Sequence, residues 1–167
     1  MASKFKHRNL PLLMLQARER VISCFRPLLH AHGLTEQQWR IIRALADAEA
    51  LEPREIGELC GLSSPSLAGV LSRMEEIDLV SRKRVAHDQR RVKVSLTSYS
   101  RALAAKMAPQ IDAVYTRVEA ILGRHACAQL YAGLDAVLAD LPPLHSNVHP
   151  SPSGRRSIGT SAEGTAG

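Results

Sequence analysis

The most constraining feature of this chain is a pair of short helical patterns that meet at a three-residue turn, Cys60-Gly61-Leu62. The first starts near Pro53, a residue suited to a helix's opening turn because it has no N–H to leave unsatisfied there. It places Ile56, Leu59 and Cys60 inward, and Gly61 then supplies the left-handed conformation that ends a helix. The second opens at Ser63 or Ser64 with Pro65 just inside, and turns Leu67, Val70, Leu71, Met74 and Ile77 inward at helical spacing. Two short helices joined this tightly are the sequence form of a helix-turn-helix, whose second helix enters the major groove of duplex DNA.

The outward face of that second helix reads Ser64, Ser66, Gly69, Ser72 and Arg73, with Ser63 just before it. Small residues let the backbone approach base edges, hydroxyls bond phosphates or bases, and a guanidinium suits guanine or phosphate. A merely solvated helix face would use better helix formers than serine and glycine. Beyond it, Val92, Val94 and Leu96 alternate with Lys93 and Ser95, as in a β-ribbon. Arg82, Lys83, Arg84, Arg90, Arg91 and Lys93 cluster there against Asp88 alone. Such a basic hairpin reads as a wing in which Arg84, Arg90 and Arg91 grip backbone and minor groove. Asp88 is then expected to pair with Arg90 and orient its guanidinium. Glu75, Glu76 and Asp78 fall at the far end of the helix, away from DNA.

Helical patterns flank this middle. Residues Leu10 to Ala31 carry Leu10, Leu13, Ala17, Val21, Phe25 and Leu28 on one face, and Gly33 follows as a left-handed cap. Thr35 and Gln38 form a capping-box pattern before a helix that turns Trp39, Ile42, Leu45 and Ala46 inward. Thr97 or Ser98 opens a long helix to about Leu122, with a kink expected at Pro109, and a last helix runs from about Ala126 to Leu141. From Pro142 the chain is rich in Pro, Ser and Gly and reads as a disordered tail over 142–167.

The chain has 167 residues, a length for one domain, and a net charge of +6, which favours an anionic partner without choosing among them. No uninterrupted apolar stretch of about 18 residues suggests a membrane span, and no secretory leader is evident, so the chain reads as cytoplasmic. Cys24, Cys60 and Cys127 are scattered and form no CxxC pair, which argues against a disulfide framework or zinc knuckle. No phosphate loop, nucleophile elbow or HExxH occurs, so no enzyme, catalytic residue, metal or cofactor is predicted.

Three segments, LTEQQWRIIRAL (Leu34 to Leu45), EIGELCGLSSPSLAGVLSRMEEIDLVSR (Glu55 to Arg82) and HDQRRVKVSLT (His87 to Thr97), together resemble the MarR family of bacterial transcription regulators. The resemblance spans about Leu10 to Leu141. LLMLQARER, FRPLL and LTEQQWRI are most similar to the members that regulate homoprotocatechuate degradation. It implies a mainly α fold with a small β-wing, in one unit over 1–141. A winged helix-turn-helix at about 34–96 would be flanked by dimerisation helices at about 10–31 and 98–141. It further implies a homodimer on a palindromic double-stranded operator, with half-sites about one DNA turn apart. Such a protein represses transcription until a small aromatic or pyridine carboxylate, of the hydroxyphenylacetate, homoprotocatechuate or hydroxynicotinate type, releases it. The effector pocket would lie between the dimerisation helices and the DNA-binding lobe, with Arg18 as the cation and Trp39 as a flat wall and indole donor. Arg43 and His32 rank behind them. Two alternatives stay open: redox sensing through Cys24, near Arg20 and Arg26, and a ligand-independent architectural DNA-binding protein. Metal sensing through His30 and His32 lacks further ligands.

Overall fold

The computed structural model describes residues 6–86 and 88–141; the predicted tail at 142–167 lies outside them. The elements run α1 (Leu10–Ala31), α2 (Glu36–Asp47), α3 (Pro53–Cys60), α4 (Ser64–Glu76), β1 (Val80–Val85), β2 (Asp88–Leu96), α5 (Ser98–Leu122) and α6 (Arg124–Asp140). Their ends follow from local capping. The Asn9 side chain accepts the Leu12 N–H at 3.1 Å. Thr35 and Gln38 exchange bonds of 2.9 and 3.2 Å, satisfying two otherwise orphaned donors at the start of α2. Gly33 and Gly61 both take positive φ, at 68° and 60°. The Thr97 hydroxyl accepts the Ser100 N–H at 3.1 Å and opens α5. The last helix starts at Arg124, not Ala126, because the break falls at Gly123 (φ 87°) and helical geometry resumes at once.

The core gathers around α2. Ile41, Ile42 and Leu45 are fully buried and meet Ile56 of α3, Leu71 and Met74 of α4, Val94 of β2 and Met107 of α5. Three residues expected inward point elsewhere. Ala46 lies beyond the buried row of α2 and is exposed. Leu59 is 67% exposed because the eight-residue α3 presents one inward row, Ile56 and Cys60. Ile77 is 53% exposed because it caps α4 at φ −101° and so leaves the helical face.

The two strands form an antiparallel ribbon in which Arg82 faces Val94, Lys83 faces Lys93 and Arg84 faces Val92, with a register shift after Arg84. Leu51 joins the ribbon's edge: its N–H donates to Val94 O at 3.0 Å and its carbonyl accepts from Val94 N at 2.8 Å. The exit of the ribbon is locked to its entry, since the Ser100 hydroxyl donates to Leu79 O and that of Thr97 to Asp78 O, both at 2.6 Å.

The outer helices differ from the lobe. On α1 only Phe25 and Leu29 are buried, and on α6 no residue is. Of the apolar stripe on α1, Leu10, Ala17 and Val21 are exposed and Leu13 and Leu28 are half-buried, because among the described residues no element covers that face. Phe25 meets Tyr115 of α5 edge to face, with ring centroids 4.8 Å apart. Among the described residues no helix is long and apolar enough to cross a membrane.

Candidate nucleic-acid interface and ligand cavity

Helix α4 exposes Ser64, Ser66 and Arg73, with Gly69 and Ser72 half-buried between them. The Ser63 hydroxyl donates to Ser66 Oγ at 3.1 Å, and that of Ser72 reaches Glu76 Oε1 at 3.4 Å. A side chain at position 69 would meet Arg73 Nη1 at 3.6 Å, so the guanidinium lies back over the glycine. The first turn of α4 carries no acidic residue, which leaves the positive end of its helix dipole uncompensated. The opposite end holds the acidic residues, as expected.

On the wing the structure corrects one expectation. Asp88 accepts the backbone N–H of Arg90 at 3.0 Å and makes no ion pair with its guanidinium. Two residues apart, they close an Asx-type turn, in which the short carboxylate reaches the main chain more readily than the distal guanidinium. Among the described residues Arg84 and Arg90 form no ion pair, so both cations stand free and exposed. Arg91 is engaged: its Nε–H donates to Glu52 Oε1 at 2.8 Å and its Nη2 bonds the same oxygen. Arg82 likewise donates from Nε to Glu75 Oε2 at 2.7 Å. That bond holds the Glu75 carboxyl below the ordinary glutamate value. Sequence reasoning missed both partners. Glu52 is 39 residues from Arg91, and no local spacing signals the pair.

The second site is a cavity of about 920 Å³ bounded by α1, α2, α5 and α6. Met14, Val21, Phe25, Trp39, Tyr115 and Leu134 give it apolar walls. Arg18 and Trp39 both line it, together with Arg40, Arg43 and Glu36, whereas His32 is not on its wall. His32 sits 3.4 Å from Gln110 Oε1 instead. Arg18 is already paired, with Glu36 at 3.1 Å and Glu19 at 3.8 Å. Arg26 Nε also reaches Glu36, at 2.6 Å, so a clasp of two arginines and two glutamates joins α1 to α2. Arg40 donates to Cys60 O at 2.5 Å. Among the described residues Arg43 has no ion-pair partner, which makes the lower-ranked candidate the free guanidinium of the cavity. Tyr115 was not anticipated, because only the fold brings α5 to this wall.

Cys24 is exposed and off the cavity wall, with its thiol 3.5 Å from Arg20 O. Its neighbour Arg26 turns to Glu19 and Glu36, away from the thiol's role as counter-ion partner. Cys127 does line the cavity, and the buried Cys60 thiol is pushed up by desolvation, which outweighs the opposing charge of Arg40. Among the described residues no three His, Cys, Asp or Glu side chains cluster as metal ligands, and His30 and His32 remain without a third partner.

The model of the MarR family matches residues 32–91. The homoprotocatechuate degradative operon repressor of Escherichia coli is 38% identical over 133 residues, covering 80% of this chain and 90% of its own. The transcriptional regulator FarR of Neisseria gonorrhoeae is 38% identical over 124 residues, 74% of this chain and 85% of its own. Among solved structures, NadR in complex with 4-hydroxyphenylacetate superposes with a TM-score of 0.73 at 36% identity, over 85% of this chain and all (100%) of that one.

Proposed function

Because the chain belongs to the MarR family of transcriptional regulators, we propose that it is a homodimeric repressor of a palindromic operator, released by a small aromatic or heteroaromatic carboxylate. Helix α4 enters the major groove with Ser63, Ser64, Ser66, Gly69, Ser72 and Arg73, and the free Arg84 and Arg90 of the wing reach backbone and minor groove. The two lobes of the dimer take half-sites about one DNA turn apart, and the protein acts in the cytoplasm.

The observation that carries the effector reading is the charge balance of the cavity. Its wall holds three guanidiniums (Arg18, Arg40 and Arg43) against one carboxylate, Glu36, while the rest is largely apolar or aromatic. An apolar slot with excess positive charge and a tryptophan wall selects a flat, monoanionic ring compound. The E. coli relative is named for homoprotocatechuate degradation, and NadR was solved with 4-hydroxyphenylacetate, which supports the same chemical class here. The cavity touches α2 of the DNA-binding lobe and the outer helices α1, α5 and α6. A bound acid therefore contacts both bodies whose relation sets the distance between recognition helices. A coupling of about 1–3 kcal/mol suffices for release.

The test is fluorescence anisotropy with a labelled duplex from the protein's own upstream region, titrated with 4-hydroxyphenylacetate, homoprotocatechuate and 6-hydroxynicotinate. Specific binding that one acid abolishes is the expected result. Specific binding that none of them alters would overturn the effector assignment and leave a ligand-independent regulator.

A further inference from the structure

A wing that grips DNA beside a recognition helix must be held at a fixed angle to it, since a contact displaced by about an ångström is lost. Apolar packing does not hold the outer half of this one: Arg84, Asp88 and Arg90 are exposed, and Val85 and Val92 are only half-buried. Two ion pairs brace the ribbon, one on each strand, Arg82 nearer its base and Arg91 in its outer half. Arg82 of β1 is bound to Glu75 in the last turn of α4, and Arg91 of β2 is bound to Glu52 immediately before α3. Both carboxylates belong to the helix-turn-helix itself.

We propose that Glu52–Arg91 and Glu75–Arg82 are struts that set the wing on the helix-turn-helix, so that Arg82 and Arg91 are positioning residues while Arg84 and Arg90 touch DNA. The proposal rests on the reading of α4 and the wing as the operator-binding surface. Three features carry it. The Leu51–Val94 bridge brings residue 52 alongside β2 through main-chain bonds of 2.8 and 3.0 Å, so the carboxylate is delivered by a rigid segment. Two donors of Arg91 converge on one Glu52 oxygen, and a phosphate would have to displace an anion already seated there. The Glu52 side chain is 28% exposed against 55% for Arg91, so the carboxylate end of the pair is the more sheltered from water. Of the wing's four arginines, Arg84 and Arg90 are the two without a carboxylate partner among the described residues.

A strut and a phosphate contact give opposite signs. If Arg91 were a phosphate contact, removing Glu52 would free it and tighten binding. If it is a strut, removing either partner loosens the wing. The experiment measures operator affinity of the full chain, by anisotropy across a salt series, for wild type, Glu52→Gln, Arg91→Met, the double variant and Arg91→Lys. The expected result is the same loss, about 3- to 10-fold, in both single variants and in the double, with the slope of log affinity against log salt unchanged. Arg91→Lys should fall with them, because one ammonium cannot replace the guanidinium fork. Tighter or unchanged binding by Glu52→Gln, with a slope flattened by about 0.9 per lost phosphate in Arg91→Met, would overturn the proposal. Wild type that fails to bind its operator sinks the interface reading and the struts together, whereas normal wild-type binding with an indifferent Glu52→Gln sinks the struts alone. Should Glu52→Gln unfold by circular dichroism, Glu75→Gln on the other helix decides by the same two readouts.

Discussion

Arg18 and Arg43 share a cavity wall but stand in different electrostatic states, and the difference decides which of them the proposed acid effector would meet. To take Arg18, a carboxylate must displace Glu36 and leave that partly buried group with Arg26 alone. Arg43 is uncommitted among the described residues and offers its donors without such an exchange. Arg43→Gln is therefore expected to weaken effector binding about 10- to 100-fold, corresponding to a charge-assisted hydrogen bond of about 1.5–3 kcal/mol. Arg18→Gln should cost less. Trp39, the single tryptophan, sits in the same wall, so quenching of its fluorescence reports the titration directly. A large loss in Arg18→Gln with none in Arg43→Gln would reverse the assignment. Gly61 permits a second prediction at this scale. It has φ +60° with nothing within 4 Å of where a Cβ would stand, so Gly61→Ala meets strain but no clash. A stability loss of about 1–2 kcal/mol, read from denaturant midpoints, is expected; a much larger one would mean that the turn tolerates less adjustment than its open surroundings allow.

At the scale of elements, the junction of α1 with α2 is where the cavity meets the DNA-binding lobe. Burial pushes the Glu36 carboxyl up, but hydrogen bonds from Arg26 and Arg18 outweigh it and hold the group below the ordinary glutamate value of 4.5. A carboxyl depressed in the fold stabilises it fully above the unfolded value, and that contribution is lost as pH falls from 4.5 through the folded value. Wild type should therefore melt above Glu36→Gln near neutral pH, and the gap should close on acidification through this range. A gap that persists well below it would assign the clasp's contribution to something other than the ionised carboxylate. The clasp also marks what could be seen in the chain beforehand. Helix ends were legible at Thr35, Gly61 and Thr97 because a cap is written within about four residues. The serine face of α4 and the basic wing were legible for the same reason. Arg26–Glu36 and Arg91–Glu52 were not, because they depend on how separate elements approach. Leu59 and Ile77 misled because periodicity gives a helix face without saying how far along the helix its cover extends.

For the whole molecule, the outer helices set the strongest demand. Leu15, Ile121 and Leu138 are 59%, 80% and 79% exposed, and α6 buries no residue of its own. An apolar face of that extent is a surface for a partner, and under the proposed function that partner is a second copy of the chain. The cavity shares this face, since Leu15 of α1 and Leu130 and Leu134 of α6 line it. In the proposed function, dimerisation, effector binding and lobe spacing are three aspects of one arrangement. Leu138→Asp tests it, because a side chain 79% exposed contributes little to the chain's own core. Sedimentation should give the monomer mass while the thermal transition of the lobe persists. Affinity for a duplex with both half-sites should fall at least about 100-fold, because two linked lobes gain that much from binding together. Affinity for a single half-site should be little changed, and an acid should no longer release it, since the proposed release acts on the distance between two recognition helices. Release of a monomer from a half-site would instead locate the switch within one lobe, at the Glu36 clasp.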